Sequence, residues 1–305
     1  MKTYCYQVFG LVVHSELVFP ELIKIGQTEP DIFIRIGPTP SRLQKSCFKG
    51  VLFESGPNEF LFSNDIVSIY IKDGVTINVQ PKSTTSNPEL RLYVLGTGMG
   101  VILHQRGLLP MHGSSIVHNG HAYIFTGTST SGKSSLAAAF ASKGYKVLAD
   151  DISVVKMDKK GLFMVQPGIP HIKIWHDVQS ILKFPNVTKR VRPHLEKYFL
   201  SDQIEFYNKP VPLETICILN INHEIGFKFI KLSGVEKFNA IRSNTFRIRI
   251  LDSVGKSESH FHTVALLANS IDVYKIYRPA IPLNIKELAD YVEQKILFGN
   301  GDKVY

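Results

Sequence analysis

The octapeptide Gly127-Thr-Ser-Thr-Ser-Gly132-Lys133-Ser134 constrains the fold of this chain more than any other stretch. It satisfies G-x-x-x-x-G-K-S/T, the phosphate-binding P-loop or Walker A pattern. Its flanks suit that geometry. Ala122-Tyr-Ile-Phe125 reads as a short buried strand before the loop, and Ser135-Leu-Ala-Ala-Ala-Phe-Ala-Ser142 as an alanine-rich helix after it. In a strand–loop–helix unit the loop N–H groups converge on phosphate oxygens, with the positive end of the helix dipole behind them. Gly127, Thr128, Ser129, Thr130, Ser131, Gly132, Lys133, Ser134 and Ser135 are therefore the expected nucleotide-binding residues. Lys133 is expected to reach the β- and γ-phosphates, and the Ser134 hydroxyl to ligate Mg²⁺. A nucleoside triphosphate with Mg²⁺ is the ligand this implies.

The 305 residues, 44% of them hydrophobic and 20% charged, allow one large domain or two modest ones with ample core and give no sign of disorder. The cysteines, Cys5, Cys47 and Cys217, are sparse and odd in number, which argues against a disulfide framework and a zinc site and for a reducing cytoplasm. No apolar run reaches the length of a membrane span. The opening Met1–Val13 stretch is read as a first strand rather than a signal peptide, because Gln7 interrupts it and no small-residue cleavage site follows. The net charge of +9 includes a cluster of Lys183, Lys189, Arg190, Arg192 and Lys197, and a second of Arg242, Arg247 and Arg249. Such clusters attract polyphosphate, acidic peptide or nucleic acid, or serve only as a soluble basic surface. The aromatic–glycine pattern of an RNA-recognition sheet is missing, so no nucleic-acid partner is expected, and no membrane partner either. Homo-oligomerisation is left open.

Hydrophobic patterning divides the chain into a β-rich region over 1–86 and a catalytic domain over 87–305. Asp31–Gly37, Glu59–Phe62, Val67–Lys72 and Val75–Val79 read as strands, with a hairpin turn at Asp73-Gly74. Pro81 to Ser86 is a polar connector. A helix capped by Asn87 is expected to run to Gln105. From Met111 the pattern becomes a hairpin turning at Asn119-Gly120, the P-loop, its helix, and a strand Lys146–Ala149 that Ile152–Val155 extends. Later come a short helix over Trp175–Leu182, strands Thr215–Leu219 and Phe227–Ile230, and helices near Ser259–Ser270 and Asn284–Leu297.

Asp150-Asp151 ends the strand that follows the P-loop helix. A carboxylate at the carboxyl end of a strand beside the P-loop strand can reach Mg²⁺ or an attacking hydroxyl. Two adjacent acids repel, which is expected to raise one carboxyl pKa and suit it to act as a base. His112, fifteen positions before Gly127, returns to the P-loop if the hairpin forms, where it would contact phosphate or tune Asp150. One of Arg242, Arg247 and Arg249 is a candidate transition-state cation; the alternative is that they alternate along a surface strand.

His112-Gly113, Gly127–Ser134 and Val147-Leu-Ala-Asp-Asp151 together resemble the catalytic domain of HPr kinase/phosphorylase, over roughly residues 111–155. The resemblance implies an α/β (α+β) fold with a P-loop kinase core of the HPr kinase/phosphoenolpyruvate carboxykinase type. It implies Asp150 as general base and Asp151 as a metal or orienting ligand, with Ser134 on Mg²⁺ and Lys133 on phosphate. The sequence departs from the regulatory enzymes. Thr128 and Ser135 stand where aspartate and glutamate are usual, and Gln166-Pro-Gly-Ile-Pro-His-Ile-Lys-Ile-Trp175 replaces the E-I-R-G-x-G signature. These features are similar to a divergent branch found with lasso-peptide biosynthesis, whose members resemble kinases of the C-terminal serine of a ribosomal precursor peptide. In that branch Lys173 would contact phosphate or substrate, the alternative being an exposed lysine beside a packed Trp175; Arg242, from the second basic cluster, is a further candidate substrate residue. The expected activity is an ATP-dependent serine kinase acting on a precursor peptide. The alternatives are an ATP-binding regulatory or assembly module without kinase activity, and a small-molecule kinase.

Overall fold

The computed structural model describes residues 2–82, 86–185, 187–192, 195–222, 226–280 and 284–298, so 83–85 of the polar connector lie outside it. The fold is mixed α/β. The chain forms two compact units, Met1–Pro110 with Thr245–Ala265, and Met111–Asn244 with Leu266–Tyr305. Among the described residues no helix is long and apolar enough to cross a membrane.

The first unit holds a nine-stranded mixed sheet. Its strands are β1 (Tyr4–Val8), β2 (Leu11–Ser15), β3 (Ile23–Lys24), β4 (Ile32–Ile36), β5 (Phe48–Lys49), β6 (Phe53–Gly56), β7 (Glu59–Ser63), β8 (Val67–Lys72) and β9 (Thr76–Pro81). They lie in the order β3-β1-β2-β4-β9-β8-β7-β6-β5. In β8 the period of two is plain, since Val67, Ile69 and Ile71 are fully buried. The expected turn between β8 and β9 forms, with Asp73 and Gly74 both at positive φ. The helix expected from residue 87 has Ser86 rather than Asn87 at its N-cap position, without a side-chain capping bond, and runs as α1 (Asn87–Tyr93), a π-helical turn over Val94–Gly98, and α2 (Met99–Gln105). It belongs to this first unit, not to the unit that carries the P-loop, so the compact units divide at 110/111 rather than at 86/87. Gly100 lets α2 approach Phe246, whose ring a Cβ there would meet at 2.8 Å.

β10 (Leu109–Met111) crosses into the second unit, whose expected hairpin forms from β11 (Gly113–His118) and β12 (His121–Gly127) around Asn119-Gly120. Next come α3 (Lys133–Ser142), β13 (Lys146–Ala149), β14 (Ser153–Met157), β15 (Phe163–Gln166), β16 (Ile172–Trp175), α4 (His176–Leu182), β17 (Lys197–Leu200), β18 (Val211–Asn222) and β19 (Lys228–Lys231). The chain ends with α5 (Gly234–Ser243), α6 (Ser257–Ser270), β20 (Asp272–Pro279) and α7 (Ile285–Val292). The strands β14-β15-β18-β12-β11-β13 are neighbours in that order, β20 also pairs with β18, and β16 with β17 makes a separate hairpin.

Two features of the sheet differ from expectation. Ile152–Val155 does not extend β13, because Asp151 turns the chain at φ +71° and β14 starts anew. Nor does β13 lie beside the P-loop strand, since β11 pairs with both β12 and β13 and stands between them.

α3 is apolar on nearly every side. Leu136, Ala137, Ala138, Ala139 and Phe140 are all buried, because the helix packs against the sheet, the β16–β17 hairpin and α7. The alanines permit close approach on all these sides, and Phe140 stacks on Phe125 of β12 at 5.4 Å and 6°. Phe140→Ala is expected to cost about 3–5 kcal/mol in urea unfolding, because this fully buried ring leaves a cavity between helix and strand.

Candidate functional site

Strand direction brings distant residues to one edge. β12 and β18 run parallel with Gly127 opposite Leu219, and β18 and β20 run parallel with Leu219 opposite Ile276. The carboxyl ends of these strands therefore share an edge, where crevices of α/β sheets bind ligands. β11 runs the other way, with Gly113 opposite Thr126, so His112 sits at that edge too. β13 reverses once more and delivers Asp150 and Asp151 to the same place.

The P-loop takes a shape only glycine allows at its ends. Gly127 has φ +138°, and a Cβ there would lie 2.4 Å from the Leu219 carbonyl oxygen. Gly132 has φ +105° and caps α3 with no side-chain hydrogen bond. The N–H groups of the first turn of α3 have no acceptor within the helix. Thr130 holds φ +66°, a costly conformation for a β-branched residue. The Ser131 hydroxyl is buried with no hydrogen-bond partner. An uncapped helix start, a cradle closed to side chains and an orphaned buried hydroxyl together fit a polyphosphate.

Lys133 is buried beneath the loop and donates through Nζ to the carbonyls of Gly127 at 3.0 Å and Thr128 at 2.8 Å. Burial lowers its pKa, and Asp150 and Asp151 oppose that shift. Beside the loop opens a cleft of about 360 Å³. Lys133, Ser134 and Ser135 line it from α3, Ser129, Thr130 and Gly132 from the loop, and His112, Asp151 and Lys173 from the neighbouring segments.

The two aspartates have different surroundings. Asp150 is buried; its Oδ1 accepts from the Ser114 hydroxyl at 2.6 Å and its Oδ2 from the Lys173 N–H at 2.9 Å. It does not line the cleft, whereas Asp151 does. Asp151 Oδ2 pairs with Lys173 Nζ at 2.9 Å, and Oδ1 lies 3.6 Å from His112 Nδ1. Burial by itself would raise the Asp151 pKa, but Lys173, with a further contribution from the Lys197 charge, outweighs it and holds the carboxyl at about 2. For Asp151 the shift thus runs opposite to that expected from two adjacent acids, because its near neighbour is a cation while the Asp150 carboxylate is turned inward. His112 is kept neutral at pH 7 by burial, reinforced by Lys133, and its Nδ1 donates to the Asp151 carbonyl oxygen at 3.1 Å. Ser134 and Asp151 share the cleft, which suits Mg²⁺ held by few protein ligands together with phosphate oxygens.

Thus the site gathers His112, the loop, Lys133, Ser134, Asp151 and Lys173, while Asp150 buttresses it from below. Arg242 is not brought there. It is exposed on the last turn of α5, and Arg247 and Arg249 lie at a 3₁₀ turn of the first unit, so none of the three alternates along a strand.

Two parts of the site escaped the sequence reading. Arg278, buried on β20, donates from Nε to the Ser131 carbonyl at 2.8 Å and from Nη2 to the Thr130 carbonyl at 3.3 Å. Nothing local to Arg278-Pro279 signals this, since β20 itself was not expected. Trp175, Asp177 and Lys197 also line the cleft, from the β16–β17 hairpin and the start of α4. Gly168 lets the segment before them cross β13, where a Cβ would lie 2.7 Å from that of Ala149.

No protein-family model matches the chain, and no curated protein matches it. Among solved structures, the Hpr(Ser) kinase/phosphatase from Coxiella burnetii is similar over 62% of this chain and 91% of that one, at 13% identity and a TM-score of 0.32. A likeness that weak carries no weight for fold or chemistry.

Arg278→Ala leaves two loop carbonyls without this donor, so it is expected to cost about 2 kcal/mol or more in urea unfolding and to weaken ATP binding in calorimetry. Unchanged ATP affinity would show that the loop holds its shape without the guanidinium. His171 gives a pH prediction. Burial depresses its pKa to about 3, below the unfolded value near 6.5. The folded state therefore refuses a proton that the unfolded chain accepts. Stability should be full above about pH 6.5 and fall as pH drops toward about 3. His171→Phe should flatten that fall in urea titrations, and parallel curves for the two proteins would sink the assignment.

Proposed function

We propose that the chain is an ATP- and Mg²⁺-dependent kinase that transfers the γ-phosphate to a serine hydroxyl of a peptide. One observation carries the reading. The cleft that opens on the uncapped start of α3 also contains an ionised carboxylate, Asp151, fixed by Lys173 and His112. Phosphoryl transfer uses a carboxylate in such a place to orient a hydroxyl or to ligate the metal.

Lys133 and the loop N–H groups would hold the phosphates, and Ser134, with Asp151 beside it in the cleft, would hold the metal. Mg²⁺, when bound, neutralises phosphate charge and fixes phosphate orientation. Catalysis of this type is mostly positioning and charge neutralisation, so a weakly basic but rigid carboxylate suffices to orient the acceptor and take its proton. We therefore assign that task to Asp151, and to Asp150 the placing of the Lys173 and Ser114 segments. The peptide acceptor, and the C-terminal serine of a ribosomal lasso precursor in particular, rests on the resemblance of the 111–155 motifs and the Pro167–Trp175 segment. Trp175, 44% exposed at the cleft, offers the kind of apolar contact that a peptide can use.

The test follows label from γ-labelled ATP into a peptide ending in serine and into its Ser→Ala form. Asp151→Asn should reduce transfer about 10²-fold or more while ATP binding persists. Asp150→Asn should instead appear first as lost stability, about 1–3 kcal/mol. Undiminished transfer by Asp151→Asn would remove the assignment. ATP binding with no transfer to any acceptor would favour a regulatory module, and turnover of a small hydroxyl compound without peptide would favour a small-molecule kinase.

A further inference from the structure

A transferring phosphoryl group needs positive charge on it beyond what the loop supplies, because charge on its equatorial oxygens is the main thing a protein can stabilise. The three arginines considered from the sequence do not line the cleft. The cations that do are Lys133, Lys173 and Lys197, with His112 held neutral by burial. Lys133 lies under the loop, its Nζ on two loop carbonyls. The Lys173 charge is taken by Asp151 at 2.9 Å. Lys197 forms no ion pair among the described residues.

Lys197 is nevertheless held in place. It opens β17 and is paired with Trp175 across the hairpin, and its carbonyl accepts from the Val191 N–H at 2.8 Å. Its Nζ lies 5.6 Å from the centre of the Trp175 ring, which provides a cation–π platform. Burial lowers the Lys133 pKa, and the Lys197 charge adds to that shift, so the two ammonium groups feel each other across the cleft. The Asp151 carboxylate in the same cleft feels the Lys197 charge too and offsets part of that repulsion.

We propose that Lys197, carried on the β16–β17 hairpin and backed by Trp175, is the cation that meets the transferring phosphoryl group. The proposal rests on the kinase reading and goes beyond it by naming the residue that distinguishes the transition state from bound nucleotide. The hairpin thereby contributes to chemistry as well as to the wall of the cleft. Trp175 is a positioning residue, which acts through Lys197.

The test needs no knowledge of the acceptor. Calorimetry would measure binding of Mg·ADP, and of Mg·ADP with aluminium fluoride as a mimic of the transferring group, to the full chain and to Lys197→Gln, Lys197→Arg and Trp175→Leu. Thermal unfolding of each variant checks that the hairpin still folds. The proposal expects Lys197→Gln to bind Mg·ADP as the unmodified protein does, yet to bind the fluoride complex at least about tenfold more weakly. Lys197→Arg should regain most of that loss, and Trp175→Leu should show a smaller loss of the same kind. Equal weakening toward both probes would make Lys197 an ordinary nucleotide contact and overturn the proposal, as would no weakening toward either. If the unmodified protein binds neither probe, the kinase reading itself fails, a result distinct from both of these.

Discussion

The buried carboxylate of Asp150 ties the β16 segment to an edge of the sheet where β11 and β13 already pair. Its two oxygens take a hydroxyl from Ser114 at the start of β11 and an N–H from Lys173 on β16, while its own backbone ends β13. A carboxylate in such a position is tolerated only if its acceptors are filled, and leaving any of these partners unsatisfied would be costly. Asp151, next in the chain, is then thrown toward the cleft by a left-handed backbone turn at φ +71°. Asp is among the few non-glycine residues that tolerate that region. The pair divides its labour, with one carboxylate bracing the site from within and its neighbour facing solvent and ligand.

Lys173 shows how economically the bracing is done. Its N–H serves Asp150 and its ammonium serves Asp151, so one residue fixes both acids. Because the two contacts use different parts of the residue, the charge at Asp151 and the placement of the hairpin are physically separable. The positive charge beside Asp151 also explains why adjacent acids need not share a proton here. Like-charge repulsion acts over a few ångströms, but so does attraction to an ammonium group, and the closer partner wins.

The P-loop, its hairpin and its helix were legible because their signals are local. Asn119-Gly120 dictates the turn, Gly127 and Gly132 supply the loop conformations, and the alanine run marks a helix enclosed on several sides. Strands β4, β7, β8 and β9 were legible for the same reason, whereas the opening stretch, read as one strand, turns at Phe9-Gly10 into β1 and β2, and the short β3, β5 and β6 gave no signal. What was not legible depends on pairing between distant segments. Nothing in Lys146–Ala149 says that β11 will separate it from the P-loop strand, and so nothing says which of Asp150 and Asp151 faces the cleft. Lys173 was singled out by a motif. Lys197 appeared only as one charge in a basic cluster, because its partner across the hairpin, Trp175, lies beyond a helix and a connecting segment. β20 carries polar residues among its apolar ones, and its strand character comes from being enclosed by β18 and β19.

Arg278 grips the loop from 147 residues further along the chain. During synthesis from the amino terminus, the phosphate loop, its strand and its helix all leave the ribosome well before that guanidinium exists. Loop carbonyls that will later be fixed must wait, satisfied by water, until β20 adds to β18. A nascent chain that has released only the loop and α3 therefore carries an unfinished cradle, which lacks the donors that β20 brings.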